Sequence, residues 1–139
     1  SGHPLACAAA VACTGIYKDE SLIERARALG STVIGPALRA MQARHPSVGE
    51  VRGLGAFWAI ELVRDRDTRE PLVPFNAAGD ANAPMAQFAT ECKRLGLWPF
   101  VVANRLHVVP PLNIGEAELR AGLAIIDEAL AVADRHYAG

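Results

Sequence analysis

The sequence predicts an α+β fold in which helices pack on a small, mainly antiparallel sheet. Apolar residues recur at helical spacing in several stretches of the 139-residue chain. Other stretches have the pattern of extended strands, and turns containing Gly and Pro separate the elements. The order is helix, helix, strands, helix, strand, strand, helix, which is typical of an α+β layer sandwich.

The first two helices differ in the cover that they need. Pro4 suits a first helical turn, and residues 5–17 are an alanine-rich stretch that is apolar on every side and needs cover all round. Asp19 can cap a second helix, which carries one apolar face. We expect Pro36 to kink or break this second helix, which ends at His45-Pro46.

Extended structure follows in the middle of the chain. The period over residues 48–64 predicts a strand pair or a bent strand with Gly53 and Gly55 at the bend. Gly53-Leu54-Gly55 also resembles the start of a dinucleotide fingerprint. That fingerprint needs a helix after its glycines, whereas a strand pattern follows here, so a structural bend is the better interpretation. Residues 65–83 are predicted to form a polar loop.

The last third of the sequence predicts two helices around a pair of short strands. Pro84 begins a third helix with apolar residues at helical spacing. The two strands span residues 97–102 and 106–109, and Pro110-Pro111 ends the second. A final helix is expected from about residue 116 to residue 137.

Composition excludes several classes of function. Fourteen basic residues against fifteen acidic ones give a net charge of −1, which provides no field to attract nucleic acid or an anionic membrane. The longest apolar run, residues 5–13, is too short to cross a membrane. Three cysteines without framework spacing favour a reduced, cytoplasmic setting. No two histidines have the helical spacing of a zinc site, so no metal is expected.

One region combines residue types that recognise small acids. Trp98 and Phe100 precede a short hairpin that carries Arg105 and His107. An arginine offers a planar fork to a carboxylate, and aromatic rings exclude water, so these residues are candidates for the wall of a carboxylate-binding pocket. The alternative is an exposed Arg105 at a turn and a half-buried His107 in a strand.

Three stretches resemble the C-terminal portion of class III aminotransferases, which are pyridoxal-phosphate enzymes of fold type I. They are SGHPLACAAAVA at residues 1–12, HPSVGEVRGLGAFWAIELVRDRDTREP at residues 45–71, and LGLWPF with HVVPPLNIGEAEL between residues 95 and 119. The resemblance covers nearly the whole chain in order. It implies that residues 1–17 are the terminal helix of the large cofactor domain and that residues 18–139 are the small C-terminal domain.

The resemblance also implies a reaction and a set of partners. Pyridoxal 5'-phosphate would mediate transfer of an amino group from an ω-amino acid or amine to a keto acid such as pyruvate, in a homodimer. In relatives the lysine that binds the cofactor lies before the SGHP motif. This chain is therefore expected to be a piece of a longer enzyme, inactive alone, with no catalytic or cofactor-binding residue. Its only lysines, Lys18 and Lys93, have the sequence context of solvated residues.

The residues that would read the substrate carboxylate depart from the family pattern. Many relatives place an arginine three positions before the Pro-Pro pair, where this chain has His107, and others place one ten positions before it, at Phe100. Arg105 lies between them. Either Arg105 binds the carboxylate, or an upstream arginine binds it, or no residue of this chain recognises the charge of the donor. We therefore take Phe100, Arg105 and His107 as the candidate substrate-binding residues.

Two questions stay open at this stage. The family includes decarboxylating and isomerising members, which these residues do not exclude. A different class of function is a stand-alone, non-catalytic domain that binds or oligomerises through its apolar first helix.

Overall fold

The computed structural model describes residues 2–139 and has the predicted α+β architecture. The helices are α1 (Pro4–Asp19), α2 (Leu22–Leu29), α3 (Gly35–Arg44), α4 (Ala83–Arg94) and α5 (Glu116–Asp134). A π-helical segment, Gly30–Ile34, joins α2 to α3, and a 3-10 turn, Gly79–Asn82, precedes α4. Within residues 2–139, no helix has the length and hydropathy needed to cross a membrane.

The sheet is antiparallel and is built from two hairpins. Its strands are β1 (Val48–Leu54), β2 (Phe57–Asp65), β3 (Glu70–Pro71), β4 (Phe100–Val102) and β5 (Arg105–Val108). The spatial order is β1-β2-β5-β4, and β3 pairs with the far end of β2. Because β2 lies beside β5, the sheet joins the middle of the chain to its last third.

The two faces of this sheet have different environments. Side chains alternate across a strand, so every second residue of β2 and β5 points the same way. Ile60, Leu62 and Leu106 are buried on one face, within a core shared with α3, α4 and α5. The other face is open and carries a mixture of aromatic and charged side chains: Arg52, Phe57, Glu61, Phe100, Arg105 and His107.

The kink or break expected at Pro36 takes the form of a π turn just before it, which separates α2 from α3 without ending the helical backbone. The helical backbone continues through the wider π turn, and Pro36 occupies the first turn of α3, where a missing N–H costs little. The π turn brings Gly30 against the β1–β2 turn, so that a Cβ at Gly30 would overlap the carbonyl of Gly55. The indole N–H of Trp58 donates to the same carbonyl, at 2.7 Å.

Three smaller expectations about element ends are also corrected. Asp19 does not cap the second helix, because it is the last residue of α1 and Ser21 precedes α2 in a left-handed conformation (φ 49°). The final helix ends at Asp134, before Tyr137. The polar loop contains the short strand β3, whose two residues pair with the end of β2.

A polar cluster fastens α3 to α5. His45 lies between two carboxylates, with its Nδ1 atom 2.7 Å from Asp134 and its Nε2 atom 3.0 Å from Asp127. Arg44 donates to both oxygens of Asp127, at 2.7 and 2.8 Å. The buried Ser47 hydroxyl donates to Asp134 at 2.6 Å. Partial burial acts to raise the pKa of Asp127, but the hydrogen bonds from Arg44 and His45 outweigh it and hold that pKa below its usual value.

This cluster predicts a pH dependence of stability. A carboxylate whose pKa is lower in the folded state stabilises the protein above its unfolded pKa, and this contribution is lost as the pH falls through the folded pKa. We expect Asp127→Asn to lower the free energy of unfolding at neutral pH and to make the remaining stability less sensitive to acid. Urea denaturation at a series of pH values measures both effects. Glu128→Gln is the matched control, because this neighbouring carboxylate on α5 is exposed. Equal acid sensitivity of Asp127→Asn and the unmodified protein would contradict the prediction.

The contact between the π turn and the sheet predicts a second effect on stability. Gly30→Ala should destabilise the protein by about 1–3 kcal/mol, because the added methyl group has no space beside the Gly55 carbonyl. Gly122→Ala in α5 is the control. Its methyl group would lie 3.9 Å from Leu97, an ordinary contact, and alanine is the better helix former. Thermal unfolding compares the two variants, and equal stability of both would show that the Gly30 contact relaxes without cost.

Candidate functional site

The open face of the sheet brings the three candidate substrate residues together. Phe100 and His107 are direct partners across the β4–β5 hairpin. Arg105 lies two residues before His107 on β5 and therefore shares its face. Arg105 and His107 are both half-buried, whereas the phenyl ring of Phe100 is exposed. The short hairpin thus presents one guanidinium, one imidazole and one aromatic ring side by side.

A second phenyl ring, missed by the sequence analysis, completes this surface. The ring of His107 lies between Phe100 and Phe57, with centroid distances of 5.2 and 6.1 Å. The aromatic partner expected from sequence was Trp98, but Trp98 lies beneath the Lys93 ammonium group, 4.3 Å from its ring centroid. Phe57 comes close to His107 only because β2 pairs with β5. The alternation of side chains along β2 indicates on which face of the strand Phe57 lies. No local feature of the sequence indicates that β5 is the strand that pairs with β2.

Two buried polar atoms on this face have no partner within residues 2–139. They are Nδ1 of His107 and Nε of Arg105. Buried polar atoms in folded proteins nearly always have a hydrogen-bond partner, and Nε of an arginine is only a donor. The hydrogen-bonding capacity of these two buried nitrogen atoms is therefore left unused by the described residues.

The charge of Arg105 is also left without an ion pair among the described residues. Glu61 is its direct partner in the β2–β5 register, but the Glu61 carboxylate lies 2.8 Å from a terminal nitrogen of Arg52. The hydrogen bond from Arg52 holds the pKa of Glu61 below its usual value, against the opposing effect of partial burial. Glu61 is hydrogen-bonded to Arg52, and Arg105 acts on the same carboxylate only through the weaker effect of its nearby charge.

Two apolar cavities border the aromatic residues. A cavity of about 380 Å³ lies between β5 and α5, on the core side of the sheet, and its wall includes Phe100 and His107. A cavity of about 510 Å³ lies between α2 and the β1–β2 turn, and its wall includes Phe57. Volumes of this order accommodate small organic groups. The second of these cavities provides apolar space next to Phe57.

The described residues contain no metal-binding cluster, and the thiol of their buried cysteine, Cys92, is not activated. No group of three or more His, Cys, Asp or Glu side chains within residues 2–139 is placed to hold a metal ion. Burial raises the pKa of the Cys92 thiol to about 11, which keeps it protonated and unreactive.

Comparison with known proteins identifies the family of this chain. The protein family described as aminotransferase class-III matches residues 1–130. The chain is 33% identical to ethanolamine-phosphate phospho-lyase homolog 1 of Caenorhabditis elegans, over 96% of the chain and 27% of that protein. It is 36% identical to a 5-aminovalerate aminotransferase of Pseudomonas aeruginosa, over 92% of the chain and 28% of that protein.

A solved structure gives the same result. Taurine:2-oxoglutarate aminotransferase from Bifidobacterium kashiwanohense, in complex with PLP and glutamate, superposes with a TM-score of 0.88 and 30% identity, over 96% of this chain and 29% of that one. This chain belongs to the class III aminotransferase family, as the sequence motifs predicted. It spans between 27% and 29% of the length of these three relatives.

Proposed function

We propose that this chain is the C-terminal, substrate-facing part of a pyridoxal-phosphate-dependent transaminase. The enzyme transfers an amino group from an ω-amino acid or amine to a keto acid such as pyruvate. The observation that carries the proposal is the pair of buried, unpartnered atoms on Arg105 and His107. Two of the relatives are named for amino donors that carry an acid group at the far end, 5-aminovalerate and taurine, which supports the same donor class.

The division of the chain into two parts belongs to this proposal. Residues 1–17 are assigned to the large cofactor domain and residues 18–139 to the small domain. The support is that α1 buries none of its side chains. Even the apolar side chains of Leu5 and Val11 are 75% and 73% exposed. An apolar helix needs cover, which the large domain and the second subunit of a homodimer would supply.

The residues of the open face have distinct roles in this proposal. Arg105 and His107, which are both only half-buried, bind the acid group of the donor through the guanidinium and the imidazole. The rings on either side of His107 exclude water from that contact and so strengthen it. Pyridoxal phosphate, when bound, supplies the electron sink of the reaction. The contribution of this chain is to hold the donor in a fixed orientation toward it.

The proposal gives neither lysine of this chain the role of holding the cofactor. Lys18 lies in the last turn of α1 and Lys93 on α4, and both side chains are exposed. A lysine that forms a Schiff base is activated by desolvation or by a neighbouring cation. The proposal therefore assigns the cofactor-binding lysine to a part of the enzyme outside this chain.

Substitution of both lysines tests that assignment. We expect Lys18→Arg and Lys93→Arg in the full-length enzyme to retain the visible absorbance of bound cofactor and the transaminase activity. Arginine keeps the charge of each position but cannot take over the role of a cofactor-binding lysine. Loss of the cofactor band in either variant would place that lysine in the cofactor site and overturn the assignment.

Substitution of the two donor residues tests the proposed substrate contact. Arg105→Ala and His107→Ala in the full-length enzyme should each raise the KM for the amino donor by roughly ten-fold or more, as expected when a charge-assisted hydrogen bond is lost. Cofactor content should be unchanged, because neither residue is assigned to the cofactor. Arg120→Ala is the control, since Arg120 is an exposed arginine of α5 that pairs with Glu116. An unchanged donor profile in both variants would remove this face from the substrate site.

A further inference from the structure

We infer that Phe57 is a further specificity-determining residue, which limits the length of the donor that the open face accepts. This inference rests on the proposed function, because it places the donor against His107. Phe57 was not among the residues expected from sequence, and its role follows from three features of its position.

The first feature is its contact with His107. Phe57 begins β2 directly after the β1–β2 turn, and its ring centroid lies 6.1 Å from that of His107. Phe100 flanks the same imidazole from the other side, at 5.2 Å. A donor whose acid group contacts His107 must therefore extend past one of these two rings.

The second feature is the cavity behind the ring. Phe57 forms part of the wall of the 510 Å³ cavity, together with Ile23, Leu54, Val109 and Pro110. Arg27 is the one charged residue of its lining, so the space suits an aliphatic chain and disfavours a second cationic group. The phenyl ring of Phe57 thus lies between the imidazole and an apolar space that a longer donor can use.

The third feature is that the Phe57 ring contributes little to the stability of the fold. Phe57 is 59% exposed, whereas the next residue, Trp58, is 8% exposed and packs in the core. A large exposed aromatic ring on a sheet face contributes little to stability compared with a buried one. Removal of the ring should therefore change the shape of the substrate face without unfolding the protein.

A series of donors of increasing length tests the inference. Phe57→Ala in the full-length enzyme is assayed with linear ω-amino acids of increasing chain length and one fixed keto acid. We expect the ratio of kcat/KM for long donors over short ones to rise by about ten-fold or more, since one or more methylene groups gain an apolar environment. Phe57→Leu should give an intermediate ratio, and it serves as the second variant if the alanine variant is unstable. Phe75→Ala is the control, because Phe75 is another exposed phenylalanine (80%, against 59% for Phe57) and lies in the loop after β3.

The possible outcomes separate the two proposals. An unchanged length ratio in both Phe57 variants, with a donor KM that still responds to His107→Ala, would overturn the inference and leave the proposed function in place. A uniform loss of kcat/KM for all donors would also overturn it, because Phe57 would then only position His107. If His107→Ala and Arg105→Ala leave every donor unaffected, the proposed function fails, and the inference fails with it.

Discussion

The pairing of β2 with β5 is the constraint on which the rest of the structure depends. It places Ala59 opposite His107 and Glu61 opposite Arg105. Because side chains alternate along a strand, a slip of one residue would turn His107 into the core and bring Leu106 to the open face. The apolar partners on the other face, Ile60 and Leu106, are almost fully buried and so oppose such a slip. The geometry of the candidate site is thus set by the core on the opposite side of the sheet.

The turn before β5 helps to hold this register. Ala103 adopts a left-handed backbone (φ 52°), and the next residue, Asn104, is buried. The Asn104 side-chain amide donates to the carbonyl of Leu62 at 2.9 Å, while the Leu62 N–H donates to the carbonyl of Asn104 at 2.8 Å. Asparagine suits such a turn because its side chain can replace a backbone partner. Arg105 follows at once, so its direction is fixed by bonds that do not involve its own side chain.

The parts of this fold that were predictable from sequence are those that depend on local pattern. Helical periodicity and the family motifs were sufficient for the α+β class and for the grouping of Phe100, Arg105 and His107 on one hairpin. The interruption near Pro36 was predicted, but its form as a π turn was not, and this turn lies against the β1–β2 turn, which is distant in the sequence. Phe57 was missed for the same reason, since its neighbour His107 comes from another hairpin. Local rules describe each element, but the pairing between hairpins is decided by the packed core.

Two histidines of this chain differ in whether their ring nitrogens have hydrogen-bond partners. The unpartnered atoms of the open face are therefore not a general feature of the fold. Both ring nitrogens of His45 have carboxylate partners, at 2.7 and 3.0 Å, in a cluster that joins two helices. His107, in contrast, keeps a buried nitrogen without a partner within residues 2–139 and packs beside two phenyl rings. A buried polar atom without a partner costs free energy, so His107 departs from the way in which the fold satisfies His45. The contrast between His45 and His107 is the physical ground on which we propose the open face, rather than the polar cluster, as the substrate site.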